Sequence, residues 1–291
     1  MHLMRLWRNK IALVAFMLAL VGSAVAPVHA SDEGALYEAN AIVTGTDMRQ
    51  RPWGFAECLR EVLVKVSGDP RLKDDARTKE LAAHAERYVA SFDYVDMMAG
   101  IKKNDDQGSY DRPHRLTVRF APATIDALLA ELGESPWRGE RPVIVPVLLV
   151  RGAKPPADVL SADNPGGAEQ RGAFAEAARQ FGMRVRIPIA AELAAWGASA
   201  EHFPFPDKPP PIAAPSPTLH GVAGEGKLGE EAIVVGTLEW SETLPGWIGT
   251  WRTRFGGADH RWGIKGVNYD AAFRDIVRGV VLLASGHGAP D

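Results

Sequence analysis

Few residues in this chain have the type and spacing to do chemistry. Gly224-Glu225-Gly226-Lys227-Leu228-Gly229 has the spacing of a glycine loop that holds a dinucleotide pyrophosphate at the start of a helix. Its context is reversed: a proline-rich stretch precedes it and the strand-like Ile233-Val234-Val235 follows, so no helix terminus faces a phosphate and it reads as a glycine loop. Cys58 falls on the apolar stripe of a helix, the setting of an unreactive buried thiol. The histidines beyond residue 30 (His84, His114, His202, His220, His260 and His287) show no HxH, HExxH or HxxxH spacing that would bring two imidazoles to one metal. Asp74-Asp75, Asp105-Asp106 and Glu230-Glu231 sit in loop-like stretches and read as solvated charge, because catalytic carboxylates need a cleft and a tuned pKa. GxSxG is absent. The sequence therefore assigns no catalytic residue, no cofactor and no metal ligand.

The densest unusual feature is aromatic. Trp240, Trp247, Trp251 and Trp262 place four of the seven tryptophans beyond residue 30 within 23 residues, with Arg252, Arg254 and Arg261 between them. Exposed rings of this kind stack on sugars or anchor a protein partner, and buried ones fill a core. Burial is expected for Trp240 and Trp251. Trp247, Arg252, Arg254, Arg261 and Trp262 form the candidate contact surface.

These residues need elements to position them. Arg5, Arg8 and Lys10 lead into an uncharged apolar run from Ile11 to Val21, followed by Val28-His29-Ala30, which is the pattern of a cleavable secretory signal. A run of about eleven residues is well short of the roughly 20 that cross a bilayer as a helix. Cleavage after Ala30 is expected, with no lipid-bearing cysteine at the junction and no integral span left, and with a periplasmic or secreted address. Past residue 30 the chain carries 30 basic and 36 acidic residues, a net charge of −6, without the basic clusters that nucleic-acid binding requires. A single cysteine allows no disulfide within the chain, so packing must hold the fold.

The expected fold class is mixed α/β, with two small domains in tandem, residues 31–137 and 138–291, each a mixed sheet with packed helices. In the first, a strand over Leu36–Thr44 precedes a helix from Pro52, where Phe55, Leu59, Val62, Leu63 and Val66 make one stripe that Gly68 ends. A second helix is expected over Thr78–Ala90. Strands over Phe92–Ile101 and Arg115–Phe120 flank the polar loop 104–108, and a helix follows from Pro122 to Gly133. Glu134–Glu140 has the composition of a junction. Beyond it, Val143–Val150 reads as a strand covered on both faces. A helix through Phe174 to Phe181, a strand over Arg184–Ile189 and a short helix over Ala190–Trp196 come next. Seven prolines between Pro204 and Pro217 make an extended loop. Three strands (Ala232–Trp240, Trp247–Phe255, His260–Ile264) and a helix over Tyr269–Ala284, with Asn268 as its cap, complete the chain.

Ala56-Glu57-Cys58-Leu59-Arg60-Glu61-Val62-Leu63-Val64-Lys65-Val66-Ser67-Gly68-Asp69-Pro70-Arg71, with Leu36-Tyr37-Glu38, the Leu116–Phe120 strand and Arg141-Pro142, resembles the exported bacterial family of domain of unknown function 2066. Where that family has an arginine- and alanine-rich helix start, this chain has Arg51-Pro52-Trp53-Gly54. The resemblance carries no established activity and so implies no functional residue. A looser likeness is to envelope modules at the amino ends of translocation and flagellar accessory proteins. The expected role is a non-enzymatic periplasmic accessory module that binds another envelope protein. A cell-wall hydrolase and a peptidoglycan- or glycan-binding protein are the alternatives.

Overall fold

Alternation of buried Ala39, Ala41 and Val43 with more exposed neighbours makes Glu38–Thr44 a strand with one face on a core (β1). The chain then turns into α1, Arg51–Ser67, with Pro52 in its first turn, and Gly68 ends it in the left-handed conformation (φ 74°), donating its N–H to the Val64 carbonyl. The computed structural model describes residues 34–100, 112–154, 156–202, 220–221 and 230–291. The signal expected over 1–30, the polar loop expected over 104–108, the proline-rich stretch 203–217 and the glycine string 224–229 lie outside the described residues. No helix among the described residues is long and apolar enough to cross a membrane.

The first sheet has the order β1-β3-β2, with β2 at Val89–Asp96 and β3 at Pro113–Phe120. Both pairings are antiparallel, so this sheet is not mixed, because each neighbour of β3 runs against it. Leu116, Val118 and Phe120 of β3 meet Phe55, Leu59, Val62 and Leu63 of α1 and Ile125 and Leu129 of α3, Pro122–Leu132. Each such side chain, fully buried, contributes about 1.5–3 kcal/mol. The helix expected over 78–90 is shorter: α2 spans Ala76–Ala83, started by the Asp75 carboxylate, and a tight turn over Ala85–Tyr88 leads straight into β2. Tertiary pairing of Val89 with Phe120 ends the helical run, overriding a periodicity that could continue it.

The second sheet has the order β10-β9-β8-β4-β6-β7, and it is mixed. Its strands are β4 (Val143–Arg151), β6 (Arg184–Val185), β7 (His220–Gly221), β8 (Glu231–Ser241), β9 (Gly246–Phe255) and β10 (Ala258–Val267), while β5 (Asp158–Val159) pairs with β4. β4 runs parallel to β6 and β8, and the β8-β9-β10 meander is antiparallel. β4 is buried through its first seven residues, as expected for a strand covered on both faces. Pro146 fits there because its side of the strand lies between two partners. Ile144 accepts from Arg186 N–H and Leu148 from Leu160 N–H, so the missing donor falls in the gap between β6 and β5. The strand expected over 184–189 pairs only at Arg184 and Val185, with one further bond from Arg186, since Pro188 has no N–H to continue the ladder.

Two helices, α4 (Ala168–Gln180) and α6 (Tyr269–Ser285), cover one face of this sheet with Phe174, Phe273, Ile276, Val277 and Val280. The short α5, Ala190–Ala195, covers the other face at β4 with Leu193, beside Trp196 and Ala198. The mixed α/β class expected from the sequence is the one the chain adopts.

Residues 31–291 form one unit, and polar ties join its two sheets. Arg141 stacks its guanidinium on Trp137 at 4.1 Å and donates to the Lys65 carbonyl at 2.7 Å, and burial pulls its pKa down to about 10. Glu61 takes Lys65 at 2.9 Å and Arg179 of α4 at 3.0 Å. Burial also lowers the Lys65 pKa, by more than the attraction of Glu61 restores. The folded chain thus releases this proton at a lower pH than the unfolded chain, so between the two values the unfolded state holds one proton more and stability rises with pH. Urea melts from about pH 8 to about pH 10.5 are expected to show that rise and to lose it in Lys65→Met. An equal rise in both proteins would assign it to another group.

Candidate functional site

The alternation of β9 decides which of its residues reach solvent. Trp247, Gly249, Trp251 and Thr253 face the helices and are buried, while Ile248, Thr250, Arg252 and Arg254 face away. Register carries this pattern across the meander. Trp251 pairs with Trp262 of β10, so both rings lie under α6, and Asp275 receives both: its carboxylate takes Trp251 Nε1–H at 3.0 Å and its carbonyl takes Trp262 Nε1–H at 3.1 Å. Two glycines make room for the rings. A Cβ on Gly249 would stand 2.1 Å from the Trp251 ring, and one on Gly279 of α6 would stand 2.4 Å from the Trp262 ring.

Two of the candidate contact residues therefore move into the core. Trp247, 7% exposed, is held under the start of α6 by Tyr269, with ring centroids 4.3 Å apart, and Trp262 is 6% exposed. Trp240 goes the opposite way from its expected burial. It pairs with Trp247 at the far end of the sheet, where α6 gives it no cover, and is 40% exposed.

The three arginines are brought together on the other face. Arg252 and Arg261 are direct cross-strand partners, next to the Thr250–Gly263 pair. With Lys265 they border a concave patch of about 560 Å³, floored by the backbone around Gly249 and Gly263. The Thr250 hydroxyl is tied to that of Thr237 at 2.9 Å. At one end Arg254 pairs with Asp259 at 3.4 Å, and on the same side of β8 Glu239 pairs with Arg151. Among the described residues no helix covers this side of β9 and β10; α5 and its neighbours stop at β4 and Val235. Arg252, Arg261 and Lys265 concentrate positive charge on this side of the two strands.

A second polar group was not visible in the sequence. The loop after α1, the segment after α3 and the tail after α6 bring Asp69, Glu134 and His287 together, with their ligand atoms within 4.8 Å of one another. Asp69 is held by Arg71, whose Nε and terminal nitrogen each reach it at 2.8 Å. Burial alone would raise the Asp69 pKa, but the Arg71 bonds outweigh it and hold the carboxyl below its usual range. Gly68 lets Ser285 approach: its Cβ, if present, would lie 2.7 Å from that of Ser285. Ser285, His287 and Glu134 stand in serine–histidine–carboxylate order, with Ser285 Oγ 2.7 Å from His287 Nδ1 and His287 Nε2 3.4 Å from Glu134. The proton runs the wrong way for a nucleophile. Ser285 gives its one proton to the Gly68 carbonyl at 2.8 Å, so Nδ1 must donate to the serine oxygen and cannot deprotonate it. Elsewhere, Cys58 is fully buried and burial pushes its thiol pKa far up, the opposite of activation.

The chain is thus a mixed α/β protein with a cationic sheet face and a separate carboxylate–imidazole cluster. Over residues 30–138 it is similar to a domain of unknown function (DUF8605), whose family is uncharacterised. That match corrects the resemblance to domain of unknown function 2066. The Val62–Arg71 stretch that suggested it is a helix end with a left-handed glycine and an aspartate-capped turn, a local solution that unrelated families share. No curated protein and no solved structure matches the chain.

Proposed function

We propose that this protein is a non-enzymatic accessory module, exported to the periplasm, that docks an acidic segment of another envelope protein on the face of β9 and β10 opposite α6. The observation that carries the reading is the run of cationic side chains Arg252, Arg261 and Lys265 on a side of β9 and β10 that no helix among the described residues covers, in a chain whose overall balance is acidic. A carboxylate-rich segment laid across these strands would meet the Arg261 guanidinium, which can take a carboxylate in forked geometry, and the Lys265 ammonium. Arg252 and Arg261 remain the contact residues of this reading, with Arg254 at its margin beside Asp259. The glycan alternative draws less support, since it needs exposed rings and three of the four clustered tryptophans, Trp247, Trp251 and Trp262, are in the core, leaving Trp240 alone at 40% exposure.

Charge reversal tests it. In intact envelopes, crosslinking mass spectrometry of the wild-type protein is expected to join β9 and β10 to acidic segments of a reproducible partner. Those crosslinks are expected to disappear in Arg252→Glu/Arg261→Glu and to weaken at high ionic strength. Arg261 is exposed and Arg252 half-buried, so the variant's melting transition is measured alongside to establish that it is folded. An unchanged crosslink map in a folded variant, or no reproducible partner for the wild type, would sink the proposal.

A further inference from the structure

We infer that the groove between β1 and α4 is a docking site for an extended acidic segment of another protein, which adds a strand to the free edge of β1. The register of the first sheet points there. β1 pairs with β3 and with no other described strand, so one of its edges is open. Just beyond its two ends, Phe120 N–H donates to the Tyr37 carbonyl at 3.0 Å and Gly45 N–H to the Arg112 carbonyl at 2.8 Å. Bonded and non-bonded pairs alternate in an antiparallel ladder, so Ala39, Ala41 and Val43 turn their main-chain groups to β3. Glu38, Asn40 and Ile42 turn theirs outward. The Glu38 carbonyl agrees, since it accepts from Lys65 Nζ at 2.7 Å. Among the described residues nothing takes the outward N–H and C=O of Asn40 or Ile42.

Those groups open on a concavity of about 570 Å³. Asn40, Ala41 and Ile42 all line it, and because side chains alternate along a strand, three residues in a row place the strand's edge on the space rather than one face alone. Ala173 and Ala177 of α4 form the opposite wall, with side chains too short to fill the gap. A single strand fits between that wall and β1, whereas the sheet of a second copy would run into α4. The charges select the kind of strand. Glu176 is committed to Arg179 at 2.6 Å, and Arg179 also to Glu61. Arg115, across from Ile42 on β3, and Arg274 of α6 have no ion-pair or hydrogen-bond partner among the described residues, against one unpaired carboxylate at Asp270. The uncommitted charge of the groove is therefore net positive. Main-chain bonds from Asn40 and Ile42 hold the segment, and its acidic side chains take Arg274 and Arg115.

The test is amide hydrogen exchange, read residue by residue by ¹⁵N NMR, with an end-capped pentapeptide of alternating valine and glutamate as the probe. In the free protein the Asn40 and Ile42 amides are expected to exchange fast and those of Ala41 and Val43 slowly. The peptide is expected to slow Asn40 and Ile42 at least about 10-fold. Methylated at every backbone nitrogen, the same peptide keeps its charge and loses its donors; with lysine for glutamate it keeps its donors and reverses its charge. Each is expected to bind at least about 10-fold more weakly. Arg274→Gln strands no partner and is expected to keep native circular dichroism while weakening the glutamate peptide about 10-fold. No slowing at Asn40 and Ile42 with the peptide at about 1 mM, slowing confined to β9 and β10, or equal binding of the methylated peptide would overturn the inference. So would Asn40 and Ile42 amides already protected in the free protein: protection at every concentration would put a segment of this chain in the groove, and protection only at high concentration a second copy.

Discussion

Trp262→Ala is expected to cost about 3–5 kcal/mol of folding stability, among the largest losses of any single substitution in this chain. The ring is 6% exposed, rests where Gly279 leaves space on α6, and lies beside Trp251 on the paired strand. Truncation would leave a cavity that neither β10 nor α6 can close, because both are held by their own packing. Trp262→Phe keeps most of the ring and should cost less. It gives up a bond to the Asp275 carbonyl, an acceptor inside a helix, so no buried donor is orphaned. Urea denaturation reads the effect directly. If Trp262→Ala melted like wild type, the ring would be peripheral to the core and the surface role expected from sequence would regain its basis.

Arg186→Ala is expected to be as damaging for an electrostatic reason. Arg186 is fully buried and joins Glu231 at 3.0 Å to Glu192 at 3.3 Å, and Glu192 in turn accepts the Ile189 N–H at 2.9 Å where α5 begins. Removing the guanidinium leaves two carboxylates facing each other with no counter-charge, a change that costs about 3–5 kcal/mol. The cause can be separated from simple loss of packing. Arg186→Met fills the volume without the charge, and Arg186→Met with Glu192→Gln and Glu231→Gln removes the stranded charges as well. Recovery of most of the stability in the triple variant, but not in Arg186→Met, is the expected pattern. A loss below about 1 kcal/mol in Arg186→Ala would show that the cluster is solvated enough to dispense with its cation.

Elements built by local rules were legible. The stripe of α1 and its glycine stop, the proline start of α3, the Asn268 cap of α6 and the alternation of β9 all rest on neighbours within one or two turns or on a period of two. The failures lie where distant partners decide. The helix expected over 78–90 stops at Ala83 because Val89 is claimed by β3. Trp240 and Trp247 face each other across the same pair of strands, yet one is exposed and the other buried, since α6 begins over Trp247 and leaves the sheet's end bare. One signal could have helped: Gly249 and Gly279 are small residues where rings must lie flat, though only register shows which ring each serves.

The sequence by itself determined that this chain has helices and strands in a mixed α/β arrangement, a lone inert cysteine and a β9 strand with an aromatic and a cationic side. Those follow from side-chain type and short-range period. Only the tertiary structure decided that the aromatic side is the one α6 covers, that Arg252 meets Arg261, and that Asp69, Glu134 and His287 come together. A lone histidine carries no mark of its carboxylate partners in one dimension. The segments after three helices must fold to one point before its ring has a carboxylate to meet.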